Sequence, residues 1–103
     1  MAGREYAIKK VKDFVEACAQ NNIILNKVYI FGSVAAGVQR QDSDIDVALV
    51  SDQFTGFPFA DWHLLSPIAI HFPDIEPHPF SSLYFKNGDP FIEEIIRTGF
   101  EIR

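Results

Sequence analysis

The N-terminal part of the chain has apolar side chains at helical spacing. They recur every three or four residues, with lysines and acids between them, which predicts an amphipathic helix from residue 4 to about residue 21. The apolar side chains of this helix are Ile8, Val11, Phe14, Val15 and Cys18. The pair Asn21-Asn22 predicts its end, because asparagine tolerates the left-handed backbone found after helices. Cys18 is interpreted as a core side chain rather than a reactive thiol.

Two apolar runs after this helix predict β-strands. The first, Lys27 to Phe31, is rich in β-branched and aromatic residues and stops at Gly32. Ser33 is then expected to cap a short helix through Ala36, which Gly37 ends.

The second strand is predicted from Ile45 to Val50, after a polar turn over residues 39–43. Alternate residues of a strand point to opposite faces, so one set faces the core and the other carries the acids. The core-facing set is Ile45, Val47 and Leu49, and the opposite set is Asp44, Asp46 and Ala48.

Glycine and proline residues mark the loops and the ends of the predicted elements in the second half of the chain. Residues 51–59 are expected to form a loop, and Asp61 to cap a helix that reaches about Ile70. Three prolines in residues 72–79 confine any strand there to a sheet edge. The turn Asn87-Gly88-Asp89 precedes a last helix that ends at Gly99. Its inward side chains are predicted to be Phe91, Ile92, Ile95 and Ile96.

Composition restricts the class of protein. The net charge of −5 argues against non-specific nucleic-acid binding. A single cysteine excludes an internal disulfide, and no apolar run approaches the ~20 residues of a membrane span, so we expect a cytoplasmic protein without a membrane segment. Several phenylalanines fall in predicted loops, where they either fold back onto the core or form a contact surface. These are Phe54, Phe57, Phe59 and Phe80.

The acids that begin the second strand suggest a metal site. Asp44 and Asp46 are two residues apart, so their carboxylates project side by side. Magnesium prefers oxygen ligands and usually takes one or two carboxylates, and two such groups could bridge a pair of ions. A third carboxylate from a neighbouring strand would complete the site. Glu76 is the first candidate and Asp74 the second, because both lie on one face of the only other acidic strand.

The turn at Gly32-Ser33 is suited to phosphate. Glycine allows close approach of the backbone, and N–H groups at the start of a helix point toward an anion. Taken singly, either motif has a simpler interpretation, since an isolated Asp-x-Asp is usually solvated and Asp42 is best interpreted as a turn residue. His78 lies on the acidic face near Glu76; a hydrogen-bonded structural histidine is the simpler interpretation, and a role in the site is the alternative.

In combination, Gly32-Ser33, ten intervening residues and Asp44-Ile45-Asp46 resemble the signature of the polymerase-β-like nucleotidyltransferase superfamily. The chain length and the order α-β-α-β-α-β-α resemble its minimal prokaryotic branch. The resemblance implies a single α+β domain over residues 1–103, with a short mixed sheet flanked by helices. It implies transfer of an NMP, AMP from ATP in the leading interpretation, to an acceptor hydroxyl with release of pyrophosphate.

The resemblance also implies roles for individual residues and a partner. Gly32 and Ser33 would hold the triphosphate, and Asp44, Asp46 and Glu76 would be catalytic and bind Mg²⁺, with two ions in the fullest case. Minimal members often act as the antitoxin of a toxin–antitoxin pair with a HEPN-type helical partner, which some of them adenylylate.

The chain departs from the family pattern at Ala36, where members often carry arginine or lysine. Arg40 either replaces that cation at the nucleotide or is a solvated turn residue. The alternative function is therefore a weakly active or inactive module of the same fold that neutralises its partner by occlusion. A transferase acting on a small hydroxylated molecule ranks below both, because related enzymes of that kind have more chain for the acceptor.

Overall fold

The computed structural model describes residues 3–37 and 44–103 and contains a four-stranded sheet with helices on both faces. The elements in chain order are α1 (Arg4–Gln20), β1 (Lys27–Phe31), α2 (Ser33–Ala36), β2 (Ile45–Ser51), α3 (Pro58–Ala69), β3 (Ile75–Ser81), α4 (Ser82–Asn87), α5 (Pro90–Thr98) and β4 (Phe100–Glu101). The strand order is β3-β2-β1-β4. β1 is antiparallel to β2 and β4, whereas β2 and β3 are parallel, so the sheet is mixed. The predicted α+β class is confirmed.

The first helix and its end agree with the sequence prediction. Asn22 has a φ of 65°, the left-handed conformation expected after a helix. Cys18 is fully buried, and burial raises the pKa of its thiol to about 12. It is a core side chain, as predicted, since a thiol with that pKa is inert near neutral pH.

The sheet separates two apolar clusters. On one face α1 and α3 pack against alternate residues of β1 and β2. This cluster includes Phe14 of α1, Ile30 of β1 and Leu65 of α3. On the other face α4 and α5 cover the remaining residues of the same strands, including Tyr29 and Val50. The predicted acidic face of β2 is therefore apolar toward the end of the strand, and its acids are confined to the beginning.

Strand β3 forms one edge of the sheet, as its prolines predict. Pro77 and Pro79 lie inside the strand opposite Val47 and Leu49 of β2. An edge position tolerates them because a proline nitrogen that faces away from the sheet costs no ladder hydrogen bond.

The start of α3 differs from the prediction. The helix begins at Pro58, so Phe59 belongs to it and Asp61 is not its cap. Asp61 is buried in the first turn and accepts hydrogen bonds from the Thr55 backbone N–H at 2.7 Å and the Gly56 N–H at 2.9 Å. Proline suits the first position of a helix, and the acid instead stabilises the loop that precedes it.

Three smaller expectations are also wrong. Ser33 is the first residue of α2 rather than its cap, which is Gly32. Phe91 and Ile96 of α5 are about half exposed, and only Ile92 and Ile95 of the predicted set are buried, although the ring centre of Phe91 still lies 5.6 Å from that of Phe31.

Two elements were not predicted. Ser81 caps α4 by accepting a hydrogen bond from the Tyr84 N–H. β4 pairs with β1, and the chain reaches that position at Gly99, where a Cβ would lie 2.6 Å from the carbonyl oxygen of Ile30. In the part of the chain that the structure describes, no helix combines the length and apolar character that crossing a membrane requires.

Candidate functional site

Three strands bring their side chains together at the start of β2. Asp46 is paired with Phe31 of β1 on one side and with Glu76 of β3 on the other. Paired residues point to the same face of a sheet, so the three side chains form a row across it. His78 follows two residues after Glu76 and joins the same face.

The polar part of this row is compact. The Nε2 atom of His78 lies 3.3 Å from Oδ1 of Asp46 and 3.1 Å from Oε2 of Glu76. One ligand atom from each of these three residues lies within 4.8 Å of the other two. The pairing of β2 with β3 positions these residues. Their side chains are 27–54% exposed, so the group is open to solvent.

Aromatic side chains hold the imidazole in place. Its ring centre is 5.0 Å from that of Phe31 and 6.3 Å from that of Phe91, with the rings edge to face. Edge-to-face packing restricts the tilt of the ring. The orientation of Nε2 toward the two carboxylates is therefore set by β1 and α5 as well as by β3.

Gly32 brings the turn after β1 against Asp46. A Cβ at Gly32 would overlap Oδ2 of Asp46, and the backbone there has φ 74° and ψ −147°, a conformation restricted almost entirely to glycine. The close approach and the unusual backbone both require glycine. Ser33 then begins α2, with Ala36 exposed near its end.

The predicted site residues are partly brought together. Asp46 and Glu76 converge, with Gly32 beside them. Asp44 immediately precedes β2 and is exposed, and its carboxylate is outside the three-residue group. Arg40 lies outside the described residues, as do Asp42 and the turn predicted over residues 39–43.

Asp74, the alternative third acid, lies elsewhere. Its Oδ2 accepts a hydrogen bond of 2.8 Å from the hydroxyl of Tyr6 on α1, and this bond raises the pKa of the Tyr6 hydroxyl above its ordinary value. The carbonyl oxygen of Asp74 accepts from the Ile45 N–H at 2.7 Å. Asp74 thus ties β3 to α1 and to the start of β2, and it does not face Asp46.

Sequence reasoning underestimated His78 and missed Phe31 and Phe91. The alternation of Glu76 and His78 was a usable signal for the histidine. Phe31 could have been found from its position as the last residue of β1, immediately before the Gly-Ser turn. Phe91 was predicted to face inward from its place in the last helix, but the sequence does not indicate which residues of the sheet it meets.

The donor atoms fit a divalent cation. Two carboxylates and an imidazole nitrogen are ordinary ligands for such an ion. Gly32 leaves the space beside Oδ2 of Asp46 free of a side chain.

Comparison with known proteins gives the family. Residues 12–102 match the model of the family described as polymerase beta, nucleotidyltransferase. No protein in a search of the curated proteins matches the chain significantly.

Solved structures share the fold. A protein from Sulfolobus solfataricus proposed to be a nucleotidyltransferase is 21% identical, with 95% of this chain and 80% of that chain covered and a TM-score of 0.71. A chain of a toxin–antitoxin complex with AMP-PNP is 21% identical, with 89% and 72% covered and a TM-score of 0.62. A chain of tri-AMPylated Shewanella oneidensis HEPN toxin in complex with MNT antitoxin is 16% identical, with 97% and 71% covered and a TM-score of 0.56. By the match over residues 12–102, with these likenesses supporting the fold, the chain belongs to the polymerase β nucleotidyltransferase family.

Proposed function

We propose that this protein is a Mg²⁺-dependent nucleotidyltransferase that transfers AMP from ATP, or another NMP from its triphosphate, to a hydroxyl group of a partner protein. The observation that carries the proposal is the convergence of Asp46 and Glu76 beside the Gly32 turn in a member of this family. The partner is a HEPN-type toxin, for which the chain acts as antitoxin. Likeness to a chain from a complex that contains an AMPylated HEPN toxin supports this choice of partner.

Each site residue has a role in the proposal. Asp44, Asp46 and Glu76 bind Mg²⁺, and Gly32 and Ser33 contact the triphosphate through backbone N–H groups and the Ser33 hydroxyl. A bound ion would neutralise charge on the phosphates. Arg40 supplies the cation that Ala36 lacks.

The transfer balances without a further reactant. The acceptor oxygen forms a bond to the α-phosphorus, and the bond from that phosphorus to the bridging oxygen of the β-phosphate breaks with its electron pair on pyrophosphate. The hydroxyl proton passes to Glu76 or to water. The protein positions the reactants and excludes competing geometries.

The test uses the purified chain, ATP labelled at the α-phosphate, Mg²⁺ and a candidate HEPN protein, for which the product of the adjacent gene is tried first. We expect label on the HEPN protein, and a loss of about a hundredfold or more in Asp44→Asn/Asp46→Asn, since the carboxylates carry the ion. Asp52→Asn, which alters an exposed acid in the turn after β2, is the matched control and should label like wild type. Equal labelling by wild type and the double variant would overturn the proposal.

A second function is favoured by a specific observation. Phe57 and Phe59 are 72% and 93% exposed, and Trp62 is 47% exposed one turn further along α3. Exposed aromatic side chains in one place are typical of a contact surface, so neutralisation by occlusion is the alternative.

The double aspartate variant separates the two functions. It should still bind the HEPN protein in either case. Lost neutralisation with binding retained supports catalysis, and undiminished neutralisation supports occlusion.

A further inference from the structure

We infer that His78 is a metal ligand, and that with Asp46 and Glu76 it forms a mixed nitrogen–oxygen site that binds Co²⁺ and Zn²⁺ more tightly than the two carboxylates would alone. The inference deepens the proposed function, because it concerns the metal taken by the same site. It departs from the all-carboxylate set expected from the sequence.

Interatomic distances are the first argument. For a cation about 2.0–2.1 Å from its ligands, neighbouring ligand atoms are separated by about 2.9–3.4 Å in octahedral or tetrahedral geometry. The His78 Nε2 atom lies 3.3 Å from the Asp46 oxygen and 3.1 Å from the Glu76 oxygen, inside that range for both pairs. The two distances that involve the His78 nitrogen therefore match those between neighbouring ligands of one ion, and the two carboxylate oxygens lie within 4.8 Å of each other.

The fixed position of the ring is the second argument. A surface histidine that merely met an acid would be free to turn away, whereas this ring packs against Phe31 and Phe91. β3 carries Glu76 and His78 on one face, and their register with β2 brings both to Asp46. Preorganised ligands lose little conformational freedom when the ion binds.

The chemical class of the third ligand sets the metal preference. Imidazole is a strong ligand for Zn²⁺, Co²⁺ and related ions, whereas Mg²⁺ prefers oxygen donors and retains its water. Replacing one carboxylate by imidazole also lowers the negative charge of the site, which weakens electrostatic attraction for every divalent ion. The imidazole of His78 therefore raises the affinity of the site for Co²⁺ and Zn²⁺ more than its affinity for Mg²⁺.

Metal binding without nucleotide tests the inference. Co²⁺ is titrated into the full chain and followed by its visible absorption, and Zn²⁺ and Mg²⁺ affinities are obtained by competition or calorimetry. His78→Phe keeps an aromatic ring against Phe31 and Phe91 while removing the nitrogen, and His78→Gln keeps a polar group. His71→Phe is the matched control, since His71 is exposed in the turn after α3 and is not part of the group of Asp46, Glu76 and His78.

We expect both His78 variants to lose about tenfold or more in Co²⁺ and Zn²⁺ affinity, with Mg²⁺ affinity changed by less than about threefold. The Co²⁺ absorption should shift in wavelength, because an oxygen or water would replace nitrogen. His71→Phe should bind all ions like wild type. Unchanged Co²⁺ affinity in both His78 variants, or an equal loss for Mg²⁺ and Co²⁺, would overturn the inference.

Thermal unfolding of each variant verifies that it is folded. Asp46→Asn should lower the affinity for every ion tested. The result is separable from the proposed function. Metal binding that depends on His78 without any AMP transfer refutes the transferase alone. Transfer that depends on Asp46 while His78 variants bind metal normally refutes the His78 ligand alone.

Discussion

Gly32 is the residue at which backbone conformation and site geometry depend on each other most directly. Its positive φ turns the chain out of β1, and its missing side chain makes room for the carboxylate of Asp46. A larger residue would have to displace either the turn or the acid. The same position thus controls both the fold of the turn and the orientation of a site carboxylate.

Replacing this glycine should therefore have two effects. We expect Gly32→Ala to lower the free energy of unfolding by about 1–3 kcal/mol and to weaken metal binding, because the new Cβ pushes Asp46 away from Glu76 and His78. Urea unfolding and Co²⁺ titration measure the two effects.

Gly56→Ala is a control for backbone strain alone. Gly56 also has a positive φ, of 87°, and among the described residues nothing lies within 4 Å of the position of its Cβ. It should lose stability and retain metal affinity. Equal metal affinity in both variants would contradict the explanation for Gly32.

For individual residues, the sequence predicted which side chains share a face better than it predicted which residues they contact. The two-residue spacing of Glu76 and His78 was enough to place them on one face. It could not distinguish Glu76 from Asp74, since both have the same parity; the hydrogen bond from Tyr6 to Asp74 depends on the packing of α1. Asp44, Asp46 and Glu76 as catalytic residues stay predictions.

Among the secondary-structure elements, the loop before α3 depends most on a buried acid. Asp61 is 2% exposed and accepts three hydrogen bonds from Thr55 and Gly56. The backbone N–H groups of Thr55 and Gly56 have no acceptor within their own loop, so the carboxylate of Asp61 supplies it.

Asp61→Ala should lower the free energy of unfolding by about 1–3 kcal/mol, because those donors would lose their partner. Asp61→Asn retains one acceptor oxygen and should cost less. Chemical denaturation measures both, and Asp52→Ala, at an exposed acid, should change stability by less than about 0.5 kcal/mol. Wild-type stability in Asp61→Ala would show that the loop does not need the acid.

The junction of α4 and α5 makes stability depend on pH. The Tyr84 hydroxyl donates to Oδ2 of Asp89, and the Ile92 N–H donates to its Oδ1 at 2.7 Å. These bonds, the Tyr84 bond most of all, lower the pKa of Asp89 below its ordinary value of 3.8. A carboxyl with a lowered folded pKa stabilises the protein above its unfolded pKa and loses that contribution as the pH falls through the folded pKa.

Asp89→Asn keeps an acceptor for the helix cap but removes the charge. We expect wild type to be more stable than Asp89→Asn near neutral pH, with the difference shrinking below about pH 4 as Asp89 is protonated. Melting temperatures from about pH 7 to pH 2 measure the difference. A difference that is constant over this range would contradict the role of the charge.

Long or well-bounded elements were predictable, whereas elements that other parts of the chain impose were not. α1, β1 and β2 have periodic apolar patterns and clear terminal residues. α4 has six residues, too few for a helical period, and β4 has two residues whose extended form depends on pairing with β1. Phe91, Ile92, Ile95 and Ile96 were all expected to be buried, but only Ile92 and Ile95 are, and Phe91 packs against Phe31 while remaining 46% exposed.

For the molecule as a whole, exposed apolar side chains identify the surface available to a partner. Phe57, Phe59 and Trp62 are exposed within six residues of one another at the start of α3, and Leu83 and Tyr84 are exposed on α4, across the sheet. The first group lies on the side of α1 and α3, opposite the carboxylate row.

If neutralisation is by occlusion, Phe57→Ser/Phe59→Ser should weaken binding of the HEPN protein about tenfold or more, since a few buried aromatic side chains carry most of the energy of an interface. The melting temperature should stay close to wild type, because both side chains are already in water. Calorimetry or surface-based binding measures the affinity, and Leu83→Ser on the other face is the control. If Leu83→Ser alone weakens binding, the contact surface is the one on α4.

The two edge strands, β3 and β4, determine whether the sheet can pair with a strand of another molecule. Because Pro77 and Pro79 have no N–H, the hydrogen bonds that β3 donates to β2 come from the alternate residues, and its outer side retains few donors. At the opposite edge β4 is only two residues long. A foreign strand would find little to pair with at either edge. Even when crowded at high concentration, the described fold is thus protected against edge-to-edge aggregation and fibril growth.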